Sequence, residues 1–177
     1  MEREELAERI KEIGFSCTRC GECCTGTEED SNLVMVSPHE IDDLAGETGL
    51  HAGDFSDPYP ERVQTMDVGS ITFEWCLKRT AGGCIFHDGA RCMAYASRPW
   101  ICRTYPFMLS EEELCISPCK GIGREITHAE AEKIAGLLIA RRVAEQEEEE
   151  QIRNVLSSSD IPAAKDVLID GTGVRVL

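Results

Sequence analysis

Four cysteines within eight positions are the feature that most limits how this chain can fold. They lie in the segment FSCTRCGECCTG, residues 15–26, at positions 17, 20, 23 and 24. Thr, Arg, Gly and Glu flank them, which is not the setting in which a free cysteine acts as a small buried apolar side chain. The run therefore predicts thiol chemistry: metal binding, redox work or disulfide formation.

The spacing of the first three cysteines favours one of these explanations. Cys17, Cys20 and Cys23 form C-x2-C-x2-C, which lets three consecutive thiolates turn onto one centre. Iron-sulfur ferredoxins use such a run for three ligands and take the fourth from a distant cysteine. Structural zinc more often uses two separate C-x2-C pairs. The run thus favours a 4Fe-4S cluster, with structural zinc and disulfides as the alternatives.

The adjacent Cys24 suggests a second centre. Because neighbouring side chains diverge along a backbone, Cys23 and Cys24 are expected to serve different centres, or Cys24 is a free reactive thiol. Six cysteines follow later in the chain: Cys76, Cys84, Cys92, Cys102, Cys115 and Cys119. Four of these and the four of the run would supply two four-thiolate sites. Cys76 lies in an apolar strand pattern, and neither it nor Cys115 is assigned as a ligand.

Charge and hydropathy indicate where such a protein works. The 177 residues carry a formal net charge of −15, which disfavours nucleic acid and anionic membrane surfaces as partners. No apolar run approaches the roughly 18 residues of a membrane span. The charged start MEREELAERIKEIG lacks the apolar core of a secretory signal, so a cytoplasmic location is expected. In that reducing compartment disulfides are disfavoured.

The pattern of the chain predicts a small, irregular α+β domain held together by metal, with a long C-terminal helix and a short C-terminal hairpin. The expected division is residues 1–126 for the cysteine-cluster domain and 127–177 for a helix and tail packed on it. Helices are predicted at 2–13, 38–46 and 128–156, strands at 33–37 and 70–79, a loop at 51–62, coil and short elements over 84–119, and a hairpin turn at 170–173. The acidic segment 145–151 is expected to be a solvated extension of the last helix.

Three polar side chains near the later cysteines are candidates for supporting roles. Arg98 and Arg103 flank Cys102, and their guanidinium groups either donate to a bound cluster or form ordinary ion pairs on this acidic surface. His87 lies between Cys84 and Cys92 and could be a ligand or a donor behind one. Since His87-Asp88-Gly89 has the composition of a turn, a solvent-facing position is the favoured interpretation.

Taken together, these motifs resemble a known family. The resemblance rests on Cys17-x2-Cys20-Gly21-x-Cys23-Cys24, Cys84-Ile-Phe, Cys92-Met-Ala-Tyr95, Arg98-Pro99, Cys102-Arg103 and Tyr105-Pro106-Phe107. This pattern is similar to that of the CxxCxxCC family, the YkgJ-type cysteine-cluster proteins, which are zinc- or iron-chelating, and flagellin lysine N-methylases share it. The resemblance implies eight metal ligands: Cys17, Cys20, Cys23, Cys24, Cys84, Cys92, Cys102 and Cys119.

Three functions remain open from the sequence. The favoured one is metal-cluster binding, with one or two 4Fe-4S centres used for electron transfer or redox sensing with an unidentified protein partner or redox donor. The second, implied by the resemblance, is an enzyme like the lysine N-methylases. Neither Gly121-Ile-Gly123 nor Gly171-Thr-Gly173 clearly follows a strand, as a nucleotide-binding turn would. The third is a zinc-stapled interaction module.

Overall fold

The architecture mixes helices and strands, which confirms the α+β class. The computed structural model describes residues 2–26, 33–66, 69–110 and 113–177. The helices are α1 (Arg3–Ile13), α2 (Glu22–Thr25), α3 (Pro38–Thr48), α4 (Ala52–Phe55), α5 (Trp100–Thr104) and α6 (His128–Ser158). The strands are β1 (Met35–Val36), β2 (Ser56–Pro58), β3 (Val63–Gln64), β4 (Ser70–Thr72), β5 (Trp75–Leu77), β6 (Arg79–Thr80), β7 (Gly83–Cys84), β8 (Phe107–Ser110), β9 (Glu113–Ile116), β10 (Val167–Asp170) and β11 (Gly173–Val176).

The two longer helices predicted after the cysteine run begin where their capping residues indicate. At α3 the Ser37 side chain accepts from the Glu40 backbone N–H at 3.2 Å, and the Glu40 carboxylate accepts from the Ser37 N–H at 2.9 Å. Thr127 and Glu130 form the same reciprocal pair at the start of α6. Each pair satisfies amides that have no partner inside the helix, which fixes the first turn.

Two small sheets organise the strands. Strand β5 is central in an antiparallel sheet of order β1-β5-β2, and the second sheet has the order β11-β10-β4-β3. The C-terminal hairpin β10-β11 is present as predicted, and β10 also pairs in parallel with β4. The tail is therefore tied to residues about a hundred positions earlier in the chain. A division of the chain at residue 126 stays a prediction.

Some short elements differ from the sequence-based expectation. Residues 70–79 form three short strands, because β4 and β5 belong to different sheets and the chain crosses between them at 73–74. Segment 51–62, predicted as a loop, contains α4 and β2. The hairpin β8-β9 was not expected within 84–119. Strands of two to four residues carry too little alternation for a pattern to detect.

The buried apolar side chains form three separate clusters. The first joins α1 to α6 and the β8-β9 hairpin, with Leu6, Ile10 and Leu138 at its centre. The second gathers α3, α4, β5 and the residues around Cys84. The third is small and joins β4, β10 and the end of α6. Because the apolar burial is divided in this way, no single large core holds the described part of the domain together.

The long helix α6 connects these clusters. Its Arg141 is buried and donates to the Thr104 hydroxyl at 3.0 Å and to the Glu145 carboxylate at 2.7 Å, which ties α6 to α5. Further along, Ile152 and Val155 pack against the third cluster. The expectation that 145–151 is simply solvated is wrong at Glu148, whose carboxyl is partly buried. Over the described ranges, no helix combines the length and apolarity that crossing a bilayer requires.

Candidate metal centre

The cysteine run lies against the loop that carries Cys119. Helix α1 ends at Ile13 and is capped by Gly14, and the next residue, Phe15, forms an antiparallel bridge with Ile122. The Ser16 N–H donates to the Gly121 carbonyl at 3.1 Å, and the Gly123 N–H donates to the Gly14 carbonyl at 2.9 Å. The start of the run is thereby paired with a segment more than a hundred residues away, which brings Cys17 and Cys20 towards Cys119.

The second half of the run is a single helical turn. Gly21 has φ +77 and begins α2, whose Cys24 and Thr25 amides donate back to the Gly21 carbonyl at 2.8 and 3.0 Å. Inside this turn the thiols of Cys23 and Cys24 lie 4.0 Å apart. The expectation that adjacent cysteine side chains diverge fails here, because α-helical residues one apart are separated by about 100° around the axis, whereas strand neighbours point to opposite faces.

The two adjacent thiols differ in proton affinity. The Cys24 thiol donates to the Cys23 sulfur, which lowers the pKa of Cys23 to about 6. The same hydrogen bond raises the pKa of Cys24, and its burial and the charges of Cys23, Cys84 and Cys102 raise it further. The pair therefore favours a thiolate at Cys23 and a proton at Cys24, and a bound metal would have to displace that proton.

Cys84 is brought to this turn by β7. Gly83 has φ +114, and a side chain on it would overlap the Cys24 carbonyl oxygen, so β7 and α2 approach as closely as glycine allows. Burial raises the pKa of the Cys84 thiol, and the Arg79 guanidinium partly offsets that rise. The Arg79 side chain also donates to the Gly26 carbonyl at 2.6 Å, which holds the end of α2 against β6.

Cys92 and Cys102 complete an inner group of thiols with Cys23, Cys24 and Cys84. Cys92 is placed by its β-bridge to His87, and Cys102 by the short helix α5. Burial is the main cause of the raised pKa of Cys102, followed by the charges of Cys84, Cys23 and Cys92. The pKa of Cys92 is raised in the same way, by burial and then by Cys84 and Cys23. Mutual repulsion of this kind shows that the thiols share one neighbourhood.

The three remaining predicted ligands are called the outer group: Cys17, which is exposed in the run, and Cys20 and Cys119, which both lie near Tyr105. Burial raises the pKa of the nearby Tyr105 phenol, and the charges of Cys119, Cys23 and Cys20 raise it further. The Tyr105 hydroxyl donates to the Pro118 carbonyl. Lys120 and Glu22 form an ion pair across the gap between the loop and α2, and the Gly121 N–H donates to the Cys119 sulfur at 3.4 Å. Cys23 therefore lies between the inner and outer groups.

The two predicted arginines take different positions. The charge of Arg98 lowers the pKa values of Cys23, Cys92 and Cys102, so its guanidinium faces the inner thiols. It lies 3.7 Å above the centre of the Tyr95 ring. Arg103 instead donates to the Arg98 carbonyl and lies 5.2 Å from the centre of the Trp100 ring. Arg98 is thus the better placed of the two to offset thiolate charge, and Arg103 supports its backbone.

His87 is the residue whose position the sequence misjudged. Its imidazole lies over Gly21, so that a side chain there would come within 2.7 Å of His87 Nε2. This Nε2 atom is buried and has no hydrogen-bond partner among the residues that the structure describes. Buried polar atoms without a partner are rare and usually mark an absent water, ion or ligand. The position of His87 Nε2 is therefore compatible with a metal ion or cluster bound between the cysteine run and β7.

Two cysteines stand apart from this arrangement. Cys76 is buried in β5, and its pKa is raised by burial and by Asp57 and Glu74, not by other thiols. Cys115 is partly buried in β9 opposite Met108. Their positions match those of ordinary strand residues. The Gly121-Ile-Gly123 segment is likewise occupied in pairing with residues 14–16 and forms no strand-to-helix turn.

The fold and the cysteines gathered around α2 define a small cysteine-cluster metal-binding domain. Residues 16–120 match the family model CxxCxxCC, whose description is "Putative zinc- or iron-chelating domain", and the chain belongs to this family. The matched range contains the inner and outer thiols and all the residues between them. No solved structure matches the chain.

Proposed function

We propose that the chain holds iron-sulfur clusters of the 4Fe-4S type and uses them for electron transfer or redox sensing. The observation that carries the proposal is the C-x2-C-x2-C run of Cys17, Cys20 and Cys23, the local ligand pattern of iron-sulfur ferredoxins. Four thiolates around one zinc lie about 3.8 Å apart, the edge of a tetrahedron with Zn–S bonds of about 2.3 Å. Throughout the described ranges no three thiols lie within 4.8 Å of one another. A cluster accepts wider spacing because each thiolate binds a different iron.

The inner and outer groups support two centres. In the proposal, Cys24, Cys84, Cys92 and Cys102 bind one cluster, and Cys17, Cys20, Cys23 and Cys119 bind the other. The shared electrostatics of Cys24 with Cys84 and Cys102 support the first set. The joint effect of Cys20, Cys23 and Cys119 on Tyr105 supports the second. The 4.0 Å separation of the Cys23 and Cys24 thiols would place the two clusters side by side.

Three residues would tune the centres without binding iron. Arg98 faces the inner thiols and would stabilise their thiolate forms. The buried His87 Nε2 would hydrogen-bond to the bound group. Tyr105 lies beside the outer group. The bound clusters themselves supply one-electron chemistry. The proposal includes a reducing, cytoplasmic location and an unidentified protein partner or redox donor, in keeping with the acidic charge of −15.

The test is metal and sulfide analysis after anaerobic purification, made on the parent and on matched variants. Two clusters predict about eight iron and eight sulfide per chain and a visible absorption that bleaches on reduction. Cys24→Ser and Cys20→Ser should each remove about half of the iron, with spectra that sum to that of the parent. Cys115→Ser is the control and should keep full iron.

Other outcomes decide against parts of the proposal. A colourless protein with zinc and no sulfide would overturn the iron-sulfur assignment in favour of a zinc-stapled module. Complete loss of metal in both variants would indicate a single shared centre. Full iron in Cys24→Ser would show that Cys24 binds no iron and is a free thiol.

A further inference from the structure

A cavity of about 470 Å³ lies between α3, α5, α6 and the 73–74 connection, outside the cysteine groups. Phe73, Trp100 and Ile152 supply much of its apolar wall. Its polar side is acidic, with the carboxylates of Glu40, Asp42, Glu74, Glu145, Glu147 and Glu148. Arg141 and His39 are the basic side chains among the lining residues. An acidic lining beside aromatic rings complements a positively charged organic ligand.

Four of these carboxylates lack a partner within the described ranges, namely those of Asp42, Glu74, Glu147 and Glu148. Glu40 accepts from the Ser37 and Trp100 amides, and Glu145 is paired with Arg141. The side chains of Glu74 and Glu148 have no hydrogen bond or ion pair with any residue that the structure describes. Burial raises the pKa of both, and that of Glu148 reaches about 7, with Glu40, Asp170, Glu74 and Glu145 adding repulsion. A cation in the cavity would relieve this cost.

We propose that this cavity binds an alkylammonium ligand, with its aliphatic chain against Phe73 and Trp100 and its ammonium group between Glu74 and Glu148. Charge complementarity and the apolar wall both favour this class of ligand. A bare metal ion fits less well. Within the described parts of the chain, the one set of three possible ligand atoms closer than 4.8 Å is Glu4, Glu8 and His128, on the outside of α1 and α6.

The cavity adjoins the metal-binding region through α5. Trp100 and Ile101 line it, and Cys102 of the inner group follows immediately in the same short helix. The Arg141 to Thr104 hydrogen bond ties the far end of this helix to α6. Binding in the cavity is therefore expected to alter the absorption or magnetic spectrum of the loaded centre. Binding of the amine in the cavity does not itself depend on which metal the cysteines hold.

The test is isothermal titration calorimetry of the purified, metal-loaded chain with n-butylammonium. Sodium butyrate is the probe of equal length and opposite charge. We expect the amine to bind and butyrate not to bind. Because the charged ligand favours the ionised form of Glu148, binding near pH 7 should release a proton, detectable as a heat that depends on the buffer. Affinity should fall as pH decreases below about 7, where Glu148 is protonated.

Variants locate the site. Glu148→Gln and Glu74→Gln should each weaken amine binding by about tenfold, the loss of one charge contact. Glu150→Gln, exposed on the same helix and outside the cavity, is the matched control and should bind as the parent does. Equal binding of amine and butyrate, absence of amine binding, or equal weakening in Glu150→Gln would overturn the proposal. Circular dichroism checks that each variant is folded. If one of the two glutamate variants fails to fold, the other still tests the proposal.

Discussion

Gly21 illustrates how much depends on one residue in a site made of short segments. It adopts φ +77, begins the turn that carries Cys23 and Cys24, and leaves the space that the His87 imidazole occupies. A side chain there has two costs, the backbone strain of a positive φ and the collision with His87 Nε2. The chain offers a control that separates them, because Gly49 has φ +72 and a Cβ there would meet no described atom within 4 Å.

Gly21→Ala is expected to lower the free energy of unfolding by about 1 kcal/mol more than Gly49→Ala, since only the first must also displace an imidazole. It should also reduce metal content, because the displaced ring disturbs the run. Adding His87→Ala to Gly21→Ala should recover part of the stability. Urea unfolding and metal analysis of these variants and the parent measure the effect. Equal costs at the two glycines would show that His87 is not held over Gly21.

At the scale of elements, α6 combines two roles that its sequence does not separate. Its first half has the apolar positions of a core helix, and its acidic half was expected to face water. The structure instead places Glu148 in a partly buried position near Glu40, Asp170, Glu74 and Glu145. The helix therefore brings a carboxyl against other acidic groups of the domain, an arrangement that opposes folding when this carboxyl is ionised.

This charge makes stability depend on pH in a defined direction. Burial raises the pKa of Glu148 from 4.5 to about 7, so the folded state is favoured while the carboxyl is protonated. That contribution is complete below the unfolded value and is lost as pH rises through about 7. At pH 8, Glu148→Gln should therefore be more stable than the parent by on the order of 1 kcal/mol, a figure reduced for solvent screening.

The comparison of two pH values tests this expectation. At pH 5, just above the unfolded pKa of 4.5, urea unfolding should show only a small difference between Glu148→Gln and the parent, and the difference should grow towards pH 8. Glu150→Gln should match the parent at both values, since its side chain is exposed. A difference that is the same at pH 5 and pH 8 would mean that Glu148 ionises as an ordinary surface carboxyl.

At the scale of the whole molecule, three small apolar clusters take the place of a single hydrophobic core. The second cluster contains Cys84 among its buried residues and has Cys24 and Cys92 packed against it. Thiolate sites rarely exist in an unfolded chain, so metal binding and the order of this cluster are linked. The first cluster, between α1 and α6, contains no cysteine among its described members and should depend less on metal.

Metal removal is therefore expected to loosen the molecule unevenly. In the chelated protein, trypsin should cleave first after Arg91, within the segment that carries Cys84 to Cys102, since Arg98 precedes Pro99 and is not a trypsin site. Cleavage at Arg141, buried on α6, should come much later. Thermal unfolding should lose cooperativity at the same time. Limited proteolysis with mass spectrometry follows the order of cuts, and identical patterns with and without metal would contradict a stapling role.

The sequence alone determined the features that depend on local chemistry. The spacing of Cys17, Cys20 and Cys23 and the later cysteines indicated the family, which the match over residues 16–120 confirms. The capping residues located the starts of α3 and α6, because those hydrogen bonds join residues three apart. The long last helix and the C-terminal hairpin were predicted for the same reason.

Tertiary structure alone decided the features that join distant segments. It placed His87 over Gly21, divided 70–79 between two sheets, and set Glu148 in an acidic cavity. It also showed the thiols of Cys23 and Cys24 to be close, in a helical turn against which Gly83 packs. Such contacts depend on which surfaces meet, and a local pattern of residues does not encode that.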